Sequence, residues 1–366
     1  MKRRHFLKSA ALAGVAGAAT SSFPAPAIAE GRTEWRMVTT WTKNFPGLGT
    51  GANLLAELIN KGSGGRLSIK VYGAGELVPA FEAIEAVASG TADMGHGAPY
   101  YWKGKIPAAQ FVAAMPFGLT APEQNAWFQF GGGQELADRI YGEFGCKFYP
   151  SGNTGIQMGG WYNKKIESMG DLEGLKIRMP GLGGEVVKAA GANVVNLPGA
   201  EIPPALTSGA IDATEWVGPY NDLAFGLYKS AKYYYYPGWH EPGTVLDNFI
   251  NIRQWEKLTD DLKALIRAAN AAVNQLVHSE FVAQNNRALV KLTEQHQVVL
   301  SKFPDSVLTG LGELAGEVLG QIAARDSLST EVFNCLATFR KDAIGWSDVS
   351  QRAYLAARAL PFEFIK

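Results

Sequence analysis

Four polar side chains stand in stretches whose other residues would suit a buried setting. Arg178 sits in Leu172-Glu173-Gly174-Leu175-Lys176-Ile177-Arg178-Met179-Pro180, a short strand that is otherwise apolar around it. An inward arginine needs an anion, and its planar fork matches a carboxylate through two parallel hydrogen bonds. A buried structural ion pair would satisfy it equally. Gln157 interrupts the apolar run Gly155-Ile156-Gln157-Met158-Gly159-Gly160-Trp161-Tyr162. Glu215-Trp216 falls at the C-terminal end of a predicted strand, and Glu241 lies in Pro237-Gly238-Trp239-His240-Glu241-Pro242-Gly243. Isolated carboxylates in such surroundings must be paired, protonated or metal-bound.

Catalytic signatures are absent: no G-x-S-x-G elbow, phosphate loop, H-E-x-x-H or C-x-x-C. Beyond residue 29 the histidines are His96, His240, His278 and His296. None pair at metal-ligand spacing, so each reads as solvated or structural. Gly47-Leu48-Gly49-Thr50-Gly51-Ala52 fits a dinucleotide-binding pattern after a strand. Thr42–Pro46 separate it from that strand, and no acid follows the next one to meet a ribose. The glycines read instead as a helix N-terminus whose backbone approaches a cleft.

The elements that must hold these residues alternate. Trp35–Thr40 and Leu67–Tyr72 read as strands. Leu54, Leu55, Leu58 and Ile59 mark a helix ending at Gly62, and Pro79–Ser89 a second helix before a strand near Ala92. Lys176–Met179 and Asn193–Asn196 then read as strands, with helices over Gly184–Ala190 and Ile202–Ser208. This grammar predicts α/β architecture with mostly parallel sheet. Ser89-Gly90-Thr91-Ala92-Asp93 is echoed by Ser208-Gly209-Ala210-Ile211-Asp212, suggesting two similar lobes. From Thr259 to about Val299 an unbroken apolar spacing of three and four predicts one helix long enough to run along both lobes, or two helices broken near Asn285-Asn286. Tyr233–Tyr236 and Trp239 offer either an aromatic ligand wall or ordinary core. A final amphipathic stretch, Val332 to Leu360, reads as a tail helix.

The chain has 366 residues, 47% hydrophobic and 19% charged, which is globular composition. The first 29 residues hold four of its 34 basic residues and no acid, so the remainder is net −4. A mildly acidic body argues against nucleic acid as partner. Arg3-Arg4-His5-Phe6-Leu7-Lys8, a small apolar run and Ala27-Ile28-Ala29 resemble a twin-arginine export signal cleaved near Ala29. Two cysteines, Cys146 and Cys335, are expected as free thiols.

The L-x-G-x-K-I-R-x-P string, the Glu215-Trp216 pair and the two Ser-Gly-x-x-Asp units resemble solute-binding proteins of tripartite ATP-independent periplasmic (TRAP) transporters. G-x-Q-M-G-G-W-Y and W-H-E-P-G resemble the branch that binds 2-oxo or 2-hydroxy monocarboxylates with a metal ion. The resemblance implies an α/β, type II-like two-lobed periplasmic binding protein, with a long helix spanning both lobes and a helical C-terminal tail. It divides the chain into a signal over 1–29, lobe I over 30–153 with 245–285, lobe II over 154–244 with 286–330, and a tail over 331–366. It assigns Arg178 to the ligand carboxylate. The side-chain oxygens of Gln157, Glu215 and Glu241 and the Trp216 carbonyl go to one hard cation, Ca²⁺ or Na⁺. Tyr101 and Asn153 are expected to hydrogen-bond the ligand, with Tyr100 an alternative to Tyr101. It also implies a periplasmic location, integral-membrane transporter subunits as partners, a homodimer through the tail, and no enzymatic activity.

Oxygen-only donors favour Na⁺ or Ca²⁺ over zinc. Arg178, two glutamates and a monoanionic acid sum to −2, so Ca²⁺ would neutralise the site and Na⁺ would leave one negative charge. Acid binding is therefore expected to depend on metal, with pyruvate or lactate as representative ligands. The competing expectations are an exported oxidoreductase and a binding protein for amino acids or other carboxylates, in which a glutamate would meet the ammonium.

Overall fold

The computed structural model describes residues 32–364. The export signal read over residues 1–29 lies outside them. The strands are β1 (Thr33–Thr39), β2 (Leu67–Tyr72), β3 (Met94–Gly97), β4 (Cys146–Asn153), β5 (Gly160–Tyr162), β6 (Lys176–Arg178), β7 (Asn193–Val195), β8 (Ala213–Thr214), β9 (Tyr233–Tyr236), β10 (Val245–Asn251) and β11 (Val299–Lys302). They form two sheets, ordered β2-β1-β3-β10-β4 and β11-β9-β5-β8-β6-β7.

The two sheets share one plan. In the first, β1 pairs parallel with β2 and β3, and β10 runs antiparallel to β3. In the second, β6 pairs parallel with β7 and β8, and β5 runs antiparallel to β8. The echoed Ser-Gly-x-x-Asp units sit at equivalent points. Gly90 and Gly209 take φ of +86° and +73°, the left-handed turn that ends each helix without a Cβ penalty. Asp93 then accepts the backbone N–H of Arg36 at 2.7 Å, and Asp212 that of Lys176 at 3.1 Å. Each aspartate thus ties its turn to the middle one of the three parallel strands in its sheet.

The chain passes between the sheets through the β4–β5 and β9–β10 links and through a helix over Asp260–Val290. That helix is 31 residues long, about 46 Å at 1.5 Å per residue. It buries Leu262, Ile266, Val273, Val277 and Phe281 and packs on β4, on the Gly49–Gly62 helix and on the Pro219–Phe225 helix. It is continuous through Asn285-Asn286, where Asn285 accepts the N–H of Tyr220 at 3.0 Å. It stops short of the expected Val299: a π-turn at Lys291–Gln295 and a positive φ at Gln297 lead into β11. The glycines at 47 and 51 approach this helix rather than a cleft. A Cβ on Gly47 would lie 2.7 Å from Phe281, and one on Gly51 2.9 Å from Val277.

Tyr233–Tyr236 belongs largely to the second sheet's core. Tyr234 stacks on Trp161 at 4.0 Å and Tyr235 on Phe303 at 4.6 Å. The tail forms helices over Ser327–Val349 and Gln351–Arg358, anchored by buried Val332 and Leu336. Arg340 donates to the Phe117 carbonyl at 2.7 Å, and Ser347 to Glu123 at 2.6 Å. Further along, Trp346, Tyr354 and Phe364 are exposed. Cys146 and Cys335 are free thiols. No described helix is long and apolar enough to cross a membrane.

Candidate functional site

Parallel pairing of β6 with β8 sets Arg178 opposite Thr214, one residue from Glu215. Arg178 is 1% exposed. Its Nε donates to the Leu197 carbonyl at 3.2 Å, and its Nη1 donates to the Glu215 carbonyl at 3.1 Å and to Glu215 Oε1. Its Nη2 has no partner among the described residues. Trp216 lies under the guanidinium, 5.2 Å from ring centre to Cζ. The arginine is thus half structural: Glu215 and a carbonyl fix the fork, and one donor remains free for a ligand. Burial is the largest single influence and works against its charge, but Glu215, Tyr101, Tyr100 and Glu241 together outweigh it and hold the guanidinium above its ordinary value.

Gln157 and Glu241 come from the two links that cross between the sheets. These links are hydrogen-bonded to one another. Thr154 N–H donates to the Thr244 carbonyl at 3.1 Å, Gln157 N–H to the Glu241 carbonyl at 3.3 Å, and Gly238 N–H to the Gln157 carbonyl at 3.0 Å. A Cβ on Gly238 would meet the Gln157 carbonyl oxygen at 2.3 Å, so the approach requires glycine. The Gln157 amide donates to Thr154, Thr244 and Glu241 at 2.9–3.1 Å. Its orientation is thereby fixed, and Oε1 is left without a partner, as is Glu215 Oε2. Unpartnered acceptors buried this deeply suit a cation. Burial, and then the negative charge of Glu215, push the Glu241 carboxyl up to about 7.

Ligand atoms of Glu215, His240 and Glu241 all lie within 4.8 Å of one another. His240 was read as solvated or structural and was missed as a member of this group. Its one sequence signal is its place beside Glu241. His96 is a structural histidine: Trp41 Nε1 donates to its Nδ1 at 2.9 Å, its Nε2 meets the Ser151 carbonyl at 3.2 Å, and burial lowers it to about 4.

The first sheet faces this cluster with the 3₁₀ turn Pro99–Trp102, which follows β3. Burial pushes the Tyr101 phenol up to about 12, and the nearby charge of Arg178 opposes that rise. Tyr100, also buried beside the cluster's charges, packs against Gly181 at the start of a helix in the other half. Lys103 closes the same edge, donating to Glu185 at 2.7 Å. Trp41 and Phe45 meet Trp216 with ring centres 6.4 and 6.2 Å apart. Asn153, expected to hydrogen-bond the ligand, has protein partners on both of its side-chain groups. Its Nδ2 donates to Gln124 at 2.6 Å and its Oδ1 accepts the N–H of Gly155 at 2.9 Å, so both groups pin the β4–β5 link.

Residues 37–326 match the family described as bacterial extracellular solute-binding protein, family 7 (DctP). A monocarboxylate 2-oxoacid-binding periplasmic protein of Nostoc sp. is 38% identical over 97% of this chain and 98% of its own. A TRAP periplasmic solute-binding protein from Pseudoalteromonas atlantica, solved with sodium and pyruvate, superposes with a TM-score of 0.87 at 38% identity, covering 91% of this chain and all of that one. A TRAP transporter solute-binding protein from Bordetella bronchiseptica, a mixed-occupancy dimer with copurified calcium and picolinate, also gives 0.87, at 32% identity over 90% and 99% of the two chains.

Proposed function

The chain belongs to the bacterial extracellular solute-binding proteins of family 7, and from that premise we propose that it captures a small 2-oxo monocarboxylate such as pyruvate for a TRAP transporter. The observation that supports this most directly is the free Nη2 of buried Arg178, set against the unpartnered oxygens of Gln157 and Glu215. Arg178 takes one carboxylate oxygen of the acid. Gln157 Oε1, Glu215, Glu241 and the Trp216 carbonyl hold Ca²⁺ or Na⁺, which neutralises charge and accepts the second carboxylate oxygen and the 2-oxo oxygen. Tyr101 donates from the opposite side, and Asn153 acts through the link it pins. The segments 30–153 with 245–285 and 154–244 with 286–330 act as two lobes that shut on the acid. Release to membrane subunits of the transporter follows opening, with no covalent step.

Relatives of this kind bind pyruvate with sodium, and picolinate with calcium, which agrees with the oxygen-rich donor set here. Residues 1–29 fit a twin-arginine signal that delivers the protein to the periplasm. The exposed tail aromatics fit a homodimer. Calorimetric titration of chelator-stripped protein with pyruvate tests the central reading. Binding should appear on adding Ca²⁺ or Na⁺ and weaken at least about tenfold without either, the loss expected when like charges share a dry cleft. Equal affinity in ion-free buffer would remove the cation from the site.

A further inference from the structure

The assignment above leaves His240 without a role, although it is fully buried in the middle of the cluster. Its Nε2 stands 3.4 Å from Glu215 Oε2, and neither ring nitrogen is hydrogen-bonded among the described residues. A neutral imidazole always carries one N–H and one lone pair. In a dry site that lone pair needs a donor or an ion. The contrast with His96, both of whose nitrogens are satisfied, shows that this chain can house a purely structural histidine. The ring is also held in place. The His240 Cβ packs against Gly183, where an added Cβ would come within 2.7 Å, and Trp239 lies edge-on at 5.6 Å.

We propose that His240 is a nitrogen donor to the ion seat, and that through it the seat accepts a borderline divalent transition ion of the Zn²⁺ class alongside Glu215 and Glu241. The proposal rests on the reading that those glutamates hold a cation. Charge does not separate the candidates, because any divalent ion balances two carboxylates, Arg178 and a monoanionic acid equally. Donor chemistry does. Carboxylate and amide oxygens satisfy Ca²⁺ or Na⁺, whereas an imidazole adds little to a hard ion and much to Zn²⁺ or its neighbours in the Irving–Williams order. Ligand atoms gathered within 4.8 Å can converge on one small ion with little movement. A 2-oxo acid chelates such an ion through the same two oxygens, so the protein would hold its cargo with either class of metal.

Chelator-stripped protein titrated with Co²⁺, a spectroscopic stand-in for Zn²⁺, provides the test. Wild type should bind one Co²⁺ per chain with visible d–d absorption and a hyperfine-shifted, exchangeable imidazole N–H resonance. In His240→Gln the ratio of Co²⁺ to Ca²⁺ affinity should fall about tenfold or more. A histidine that only orients Glu215 would move both affinities together and leave that ratio intact, which overturns the proposal. So does the absence of the shifted resonance in wild type, a result that does not depend on how the variant folds. Pyruvate titration with Ca²⁺ on the same wild-type samples separates the two levels. If it binds while Co²⁺ does not, only the role of His240 falls. If it fails as well, the cation reading of the whole site falls.

Discussion

Arg178 illustrates how one side chain serves the fold and the ligand at once. Nε and Nη1 are spent on Leu197 and Glu215, and Nη2 is free. A lysine keeps the charge but has no planar fork, so it can hold Glu215 or the acid and not both in this geometry. Arg178→Lys should weaken pyruvate binding by about 3 kcal/mol, more than a hundredfold in Kd, because one buried anion loses its partner. A change below about threefold by calorimetry would place the carboxylate elsewhere. At this scale the sequence was informative wherever a charge contradicted its neighbours. Arg178, Glu215, Glu241 and Gln157 all announced themselves in that way, and the structure brings them into one cluster. His240 gave no such contradiction, since histidine is at home in loops. Asn153 carried a weaker signal, because an asparagine at a strand end serves a turn as readily as a ligand.

Among the elements, the 3₁₀ turn that presents Tyr100 and Tyr101 depends on a buried acid. Asp247 of β10 accepts from Trp102 Nε1 at 3.0 Å and from the Tyr141 hydroxyl, and burial raises its carboxyl to about 6. A folded-state value above the unfolded one means that folding takes up a proton. The associated stability is full below about pH 4 and is lost as pH rises through 6. Relative to Asp247→Asn, which does not titrate, wild type should lose on the order of 2–3 kcal/mol between pH 4 and pH 7. Denaturant titrations giving the same difference at both pH values would sink this. The elements themselves were largely legible. Alternating and helical periodicities located β1, β2, β6 and β7 and the helices over Ala83–Ser89, Gly181–Ala189 and Ile202–Thr207 to within a few residues, but left the helices over Ala121–Phe130, Gly133–Gly142 and Asp305–Ala323 unplaced, and the Ser-Gly-x-x-Asp echo marked two places that prove equivalent. The end of the long helix was not legible, because a π-turn keeps helical spacing while changing direction. Nor were the antiparallel partners β5 and β10, since pairing across distant segments leaves no local signature.

For the whole molecule, the tail is the part that monomer packing explains least. Val332 and Leu336 tie its first helix down, yet Trp346, Val349, Tyr354, Phe362 and Phe364 remain exposed. Such a concentration of apolar surface calls for a partner surface. Deleting residues 351–366 should convert a protein of about two chain masses in light scattering to one, with pyruvate affinity unchanged within about threefold, since, among the described residues, 351–364 make no hydrogen bond or ion pair with Arg178, Gln157, Glu215 or Glu241. A full-length protein already at one chain mass would dismiss the dimer. The plan of the two sheets has a further outcome. β10 fills the gap between β3 and β4, but it is translated only after β5 to β9. A nascent chain therefore emerges from the ribosome with two raw strand edges side by side, and neither can be closed until Asn251 has left the exit tunnel. Shielding those edges during synthesis falls to cytoplasmic chaperones, which makes the half-built first sheet the point where overproduction would drive this protein into aggregates.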